Sequence, residues 1–148
     1  MSNPMVAVYR HAHKPKYILE SWCVEKLNGF TTTSGKLVHL TEQEFMSNGL
    51  RLVLDDLAQF PSRDSDLGSE TFGDSKEAKK ARKARNECWV VHVSLNSNEV
   101  LELTPMLDIG KGRGVGSGHR YFIKLPTDAD HFFKTITEAF EHCCVVAW

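Results

Sequence analysis

The stretch from Thr41 to Pro61 restricts the fold of this chain more than any other. Thr41-Glu42-Gln43-Glu44 is a capping box, in which the threonine hydroxyl accepts from a backbone N–H and Glu44 reaches back to the cap. Behind it Met46, Leu50, Val53, Leu57 and Phe60 recur at steps of 4, 3, 4 and 3, which places them on one helical face. Pro61 ends the helix. Gly49 lies inside it, where glycine costs about 1 kcal/mol against alanine, so it marks a close contact. A helix with a single apolar face must bury that face against a second layer.

The flanking sequence supplies that layer as strands. Residues 5–9 form a short apolar run, 16–24 (Lys-Tyr-Ile-Leu-Glu-Ser-Trp-Cys-Val) a β-rich one, and 36–40 a third strand after Ser34-Gly35. Residues 88–95 are the strongest strand signal. Asn96-Ser97-Asn98 then turns the chain into 100–103 as a hairpin with a three-residue loop. A glycine-rich loop spans 108–118, a further strand 119–125, and a final helix begins at Pro126 and Thr127 and runs to about Cys143. Ala129, Phe132, Phe133, Ile136, Ala139, Phe140 and Cys143 share its apolar face. Residues 76–86 read as a helix polar all round, hence exposed, with Asp74 to Glu77 as a second capping box. The expected order is β-β-β-α-α-β-β-β-α. Strands cluster rather than alternate with helices, so the expectation is one α+β domain over 1–148. Its sheet is mixed or antiparallel with about six strands, and its helices pack on one side.

Composition narrows the function. At 148 residues, with 41% apolar and 25% charged residues, the chain can bury a core without staples. The formal net charge of −1 argues against a general nucleic-acid or membrane binder. No apolar run approaches the ~18 residues a membrane span needs. The first ten residues lack the layout of a signal peptide, which points to the cytoplasm. Cys23, Cys88, Cys143 and Cys144 then read as reduced thiols. No cofactor is expected.

Charge is segregated along the chain. Residues 41–75 hold eight acids and two bases, and residues 76–90 hold six bases and two acids. The segment 61–74, rich in Pro, Ser, Asp and Gly, reads as a mobile acidic loop. Asp64, Asp66, Glu70 and Asp74 within it could mimic a phosphate backbone and so fit a nuclease cleft. Lys79, Lys80, Arg82 and Lys83, with Lys111 and Arg113 of the glycine-rich loop, are alternative contacts to phosphate or to an acidic partner. A solvated face, or neutralisation of one block by the other, is the simpler account of both runs. No aromatic residue interrupts the basic run to stack on bases.

No catalytic or metal motif is present. The Gly110 to Gly118 run lacks the Walker pattern and precedes a strand rather than a helix. His142-Cys143-Cys144 cannot converge on one ion from a helix. A His-based nuclease would need His11, His13, His119, Arg120 and Arg113 to converge on one phosphate, which spacing does not establish.

The layout resembles the immunity proteins of contact-dependent growth inhibition systems. Four places carry the resemblance: Trp22-Cys23-Val24 through Gly29-Phe30, Leu40-Thr41-Glu42-Gln43-Glu44-Phe45, Glu102-Leu103-Thr104-Pro105-Met106, and Leu125-Pro126 through Phe132-Phe133. It implies a small cytoplasmic α+β protein, not an enzyme, that binds one cognate toxin domain, expected to be a nuclease, and occludes its active site. No metal, cofactor or catalytic residue is implied. The alternative is a small RNA-binding protein or nuclease that uses the basic helix and the histidines.

Overall fold

The computed structural model describes residues 3–24, 31–60, 76–110 and 113–145. Its elements are β1 (Met5–His11), β2 (Lys16–Val24), β3 (Thr31–Thr41), α1 (Glu42–Gln59), α2 (Lys76–Asn86), β4 (Cys88–Leu95), β5 (Val100–Gly110), β6 (Arg113–Gly116), β7 (Tyr121–Lys124), α3 (Ala129–Phe140) and β8 (Cys144–Val145). The strands form a sheet of order β3-β2-β1-β4-β5-β6, antiparallel throughout. β7 adds to β5 antiparallel, and the two-residue β8 pairs with β5 in parallel. The fold is α+β, as the clustering of strands implied.

The capping box forms. Glu44 N–H donates to Thr41 Oγ1 at 3.1 Å and Thr41 N–H to Glu44 Oε1 at 3.2 Å. The buried face of α1 keeps Val53, Leu57 and Phe60 as expected, but in its first turns Phe45 and Gly49 take the inward place of Met46 and Leu50. Phe45, Gly49, Val53 and Leu57 are buried, whereas Met46 is exposed. The cause is Tyr17 of β2, whose ring stacks on Phe45 at 4.2 Å between centroids and 7° between planes. A flat aromatic pair of this kind gains dispersion that flexible Met46 cannot match.

α3 begins later than Pro126 and Thr127, at Ala129, because the Asp128 carboxylate accepts from His131 N–H at 2.8 Å and caps the helix there. Its buried residues Phe132, Ile136, Ala139 and Phe140 lie on the expected face. α1 and α3 pack on each other and on one side of the sheet. There they cover Val6, Val8, Leu19, Val91, Val93 and Leu103. Ser21 ties β2 to α1 through the Asp56 carboxylate.

Two connections differ from the sequence reading. The hairpin after β4 has four residues rather than three, with Glu99 in the left-handed region at φ 57° and Asn96 Oδ1 accepting from Asn98 and Val100. The glycine-rich segment is strand rather than connector: β5 runs to Gly110, and β6 pairs back as Met106↔Gly116, Leu107↔Val115 and Asp108↔Gly114. Glycine at every second position has the period of a strand.

Gly49 is the close contact its position implied. A Cβ there would lie 2.9 Å from Phe45 Cδ1. Phe45 is held by Tyr17 and cannot retreat. Gly49→Ala therefore loses more through overpacking, about 1–3 kcal/mol, than the ~1 kcal/mol it gains in helix propensity. Thermal denaturation should show a Tm lower by roughly 3 °C. A higher Tm would show that the ring yields.

Candidate interaction surface

Strand alternation sends Glu20 to the side of the sheet away from α1 and α3. It is 1% exposed. A carboxylate buried that deeply must be paired and hydrogen-bonded. Tyr9 O–H, on the neighbouring strand, donates to Oε1 at 3.0 Å, and Arg85 Nη1 donates to Oε2 at 2.9 Å. Burial first, and the Glu20 charge second, push the Tyr9 hydroxyl far above its ordinary pKa, so it stays a neutral donor.

Arg85 belongs to the last turn of α2, so this helix is not solvated all round. Lys76, Lys79, Lys80 and Lys83 are exposed. Their spacing puts them in one stripe, opposite Arg85 on the helix. The buried ion pair thus does two things: it neutralises Glu20 and turns a lysine stripe outward. The layer beneath α2 also holds Trp22, edge-on to His92 with centroids 5.8 Å apart. Among the described residues Trp22 Nε1 and Arg85 Nε find no hydrogen-bond partner there, and a buried donor left so costs about 1–3 kcal/mol.

At the C-terminal end of α2 a cleft of about 490 Å³ opens between the β1–β2 turn and the start of β4. His11 organises it. Its Nδ1 accepts from the N–H groups of His13 and Lys14, both at 3.0 Å, so Nε2 carries the proton and faces Glu87 Oε2 at 3.1 Å. That hydrogen bond, aided by the charges of Lys83 and Lys14, holds the Glu87 carboxyl below the usual carboxylate range. Lys83 of α2 and Lys14 of the turn thus both act on Glu87. Burial pushes the Cys88 thiol up to about 11, so it is a weak nucleophile at neutral pH.

The histidines do not converge as a nuclease would need. His11 and His13 are neighbours at 6.2 Å, but both ring nitrogens of His11 are occupied. His119 is stacked on His142 instead, at 3.8 Å. Arg120 pairs with Glu102 at 3.4 Å. Among the described residues, no group of three or more His, Cys, Asp or Glu could hold a metal ion. Lys79, Lys80 and Lys83 lie together on the exposed stripe. Asp64, Asp66, Glu70, Asp74 and Lys111 lie outside the described residues, as do the side chains of Arg82 and Arg113. Sequence reasoning missed the Tyr9–Glu20–Arg85 group. Its one local signal was a glutamate inside the β-rich run 16–24.

Two measurements follow from this layer. Arg85→Met removes the Arg85 guanidinium from the buried Glu20 carboxylate and should cost about 3 kcal/mol in urea unfolding, while Glu20→Leu combined with it should recover part of the loss. A double variant no more stable than Arg85→Met would contradict the assignment. Burial also depresses the His92 pKa below its ordinary 6.5. The unfolded chain then takes up a proton before the folded one does, so stability is full above that value and falls as pH drops through it. His92→Phe should flatten the fall of Tm between about pH 7 and 5. Parallel Tm curves for the two proteins would refute this.

No family model and no curated protein matches the sequence. Solved structures do match. A Neisseria meningitidis protein described as of unknown function superposes with a TM-score of 0.67 at 12% identity, over 97% of this chain and 96% of that one. A chain of a CdiA-CT/CdiI toxin and immunity complex from Yersinia pseudotuberculosis superposes with a TM-score of 0.65 at 9% identity, over 97% and 99%. At these identities the likeness is one of fold: the architecture is similar to that of both chains over nearly its whole length.

Proposed function

We propose that this chain is an immunity protein that binds a cognate contact-dependent toxin domain with nuclease activity and silences it by occluding its active site. The observation that carries the reading is the full-length similarity in fold to a chain of a toxin and immunity complex. The charge layout is consistent with it. The lysine stripe of α2 is held on a helix clamped from below by Arg85, and clustered charge of this kind speeds encounter with an oppositely charged partner. In this reading the protein acts by binding alone, in the cytoplasm, with no cofactor. The His11–Glu87 hydrogen bond is structural in this reading, because each group is satisfied by the other.

The first interface is the acidic set Asp64, Asp66, Glu70 and Asp74, whose charges would occupy the phosphate-attracting cleft of a nuclease. The α2 lysines are the alternative interface, for a toxin with an acidic face. Co-expression identifies the toxin as a domain lethal alone and harmless beside this chain. Reversal of the four acids to lysine should then slow association at least tenfold at low salt, with the difference shrinking as salt is added. Unchanged association would remove the acidic set from the interface. If instead the chain binds RNA with a steep salt dependence that Lys79→Ala, Lys80→Ala and Lys83→Ala abolish, the RNA-binding alternative replaces the immunity reading.

A further inference from the structure

β7 lies beside β5, and its side chains alternate between two environments. Ile123 points into the core at 2% exposure, opposite Leu101 of β5. Phe122 points the other way and is 61% exposed. Its neighbours on that face are Arg120 and Lys124, both exposed, and Glu102 across the strand pair. Arg120 pairs with Glu102, and its side chain is 66% exposed against 24% for the glutamate it covers. Lys124 Nζ donates to the Asn98 carbonyl at 2.6 Å. Outward, therefore, the strand presents one aromatic ring between two tethered cations.

Such a ring has a free-energy penalty in water that folding does not relieve. Phe122 sits on a hydrogen-bonded strand with both flanking charges fixed, so little freedom remains to be lost when a partner closes over it. Aromatic and arginine side chains of this kind dominate the energetics of protein contacts. We infer that Phe122, flanked by Arg120 and Lys124, is the aromatic anchor of a protein–protein contact and enters an apolar pocket rimmed by carboxylates on the partner. The inference rests on the immunity reading for the identity of that partner, the toxin domain.

Other occupants fit less well. Two copies of β7 paired antiparallel about Phe122 would set Arg120 opposite Lys124, and like charges directly opposed are unfavourable. A lipid surface needs a broad apolar face, and one ring on a strand supplies little. The simplest competing account is that the two cations guard a sheet edge against aggregation and the ring is incidental.

The test titrates the purified toxin domain that the wild-type chain silences against wild type, Phe122→Ala and the pair Arg120→Glu/Lys124→Glu, by calorimetry and stopped flow. Phe122→Ala should weaken binding at least tenfold through faster dissociation, with Tm unchanged, because the ring makes no contribution to the core. The charge pair should slow association, with the defect fading in high salt. Unchanged affinity of Phe122→Ala overturns the inference and leaves the immunity reading standing. A wild-type dimer that Phe122→Ala dissociates, or vesicle binding that it abolishes, overturns the assignment of a toxin pocket. If no toxin domain is silenced by the wild-type chain, both the reading and the inference fall.

Discussion

A carboxylate in the middle of a sheet, 1% exposed, sets the arrangement on one whole side of this protein. Glu20 cannot be left in that environment without partners, because the cost of desolvating an ion far exceeds the contribution of any single apolar contact. Tyr9 and Arg85 supply them. Arg85 arrives from a helix with almost no apolar surface of its own, and so the ion pair does for α2 what hydrophobic burial does for α1 and α3. The outward lysine stripe follows from it, since the same helix turns Arg85 in and Lys76, Lys79, Lys80 and Lys83 out.

The opposite side of the sheet is held by a different kind of interaction. Tyr17, Phe45, Phe132 and Phe140 are each no more than 2% exposed, and their rings contact one another between β2, α1 and α3. Gly49 leaves the room that Phe45 needs. β1 lies between the two regimes, with Val6 and Val8 facing the aromatic layer and Ala7 and Tyr9 facing the polar one. One layer is apolar and closely packed. The other is small and polar, and its groups are positioned by charge.

How much of this was legible in the sequence depended on how local each signal was. The strands at 16–24 and 88–95 and the helix at 76–86 came out with the boundaries the structure has, because their patterns are complete within a few residues. β3 begins at Thr31, well before the expected 36, because Thr31-Thr32-Thr33-Ser34-Gly35 has no apolar alternation and becomes strand by pairing with β2. The choice of Phe45 over Met46 depended on Tyr17, which lies 28 positions away in the chain. Glu20 and Arg85 are 65 positions apart, and a charge run such as 76–86 does not reveal which member turns inward. At the candidate site the exposure of Lys79, Lys80 and Lys83 was legible, but their confinement to one stripe was not, because the helix reads as polar all round. The anchoring pair and the exposed Phe122 were not, because both depend on which face of the sheet each strand presents.

In the proposed role the chain acts by stoichiometric binding rather than by chemistry. Titration of the toxin domain's nuclease activity with increasing amounts of this protein tests it most directly. The proposed role requires a linear fall to zero that ends at one molecule of this chain per toxin domain. Complete inactivation by a small fraction of an equivalent would reveal a catalytic action on the toxin, and full nuclease activity at a large excess would show that the toxin is not its partner; either result would contradict the claim.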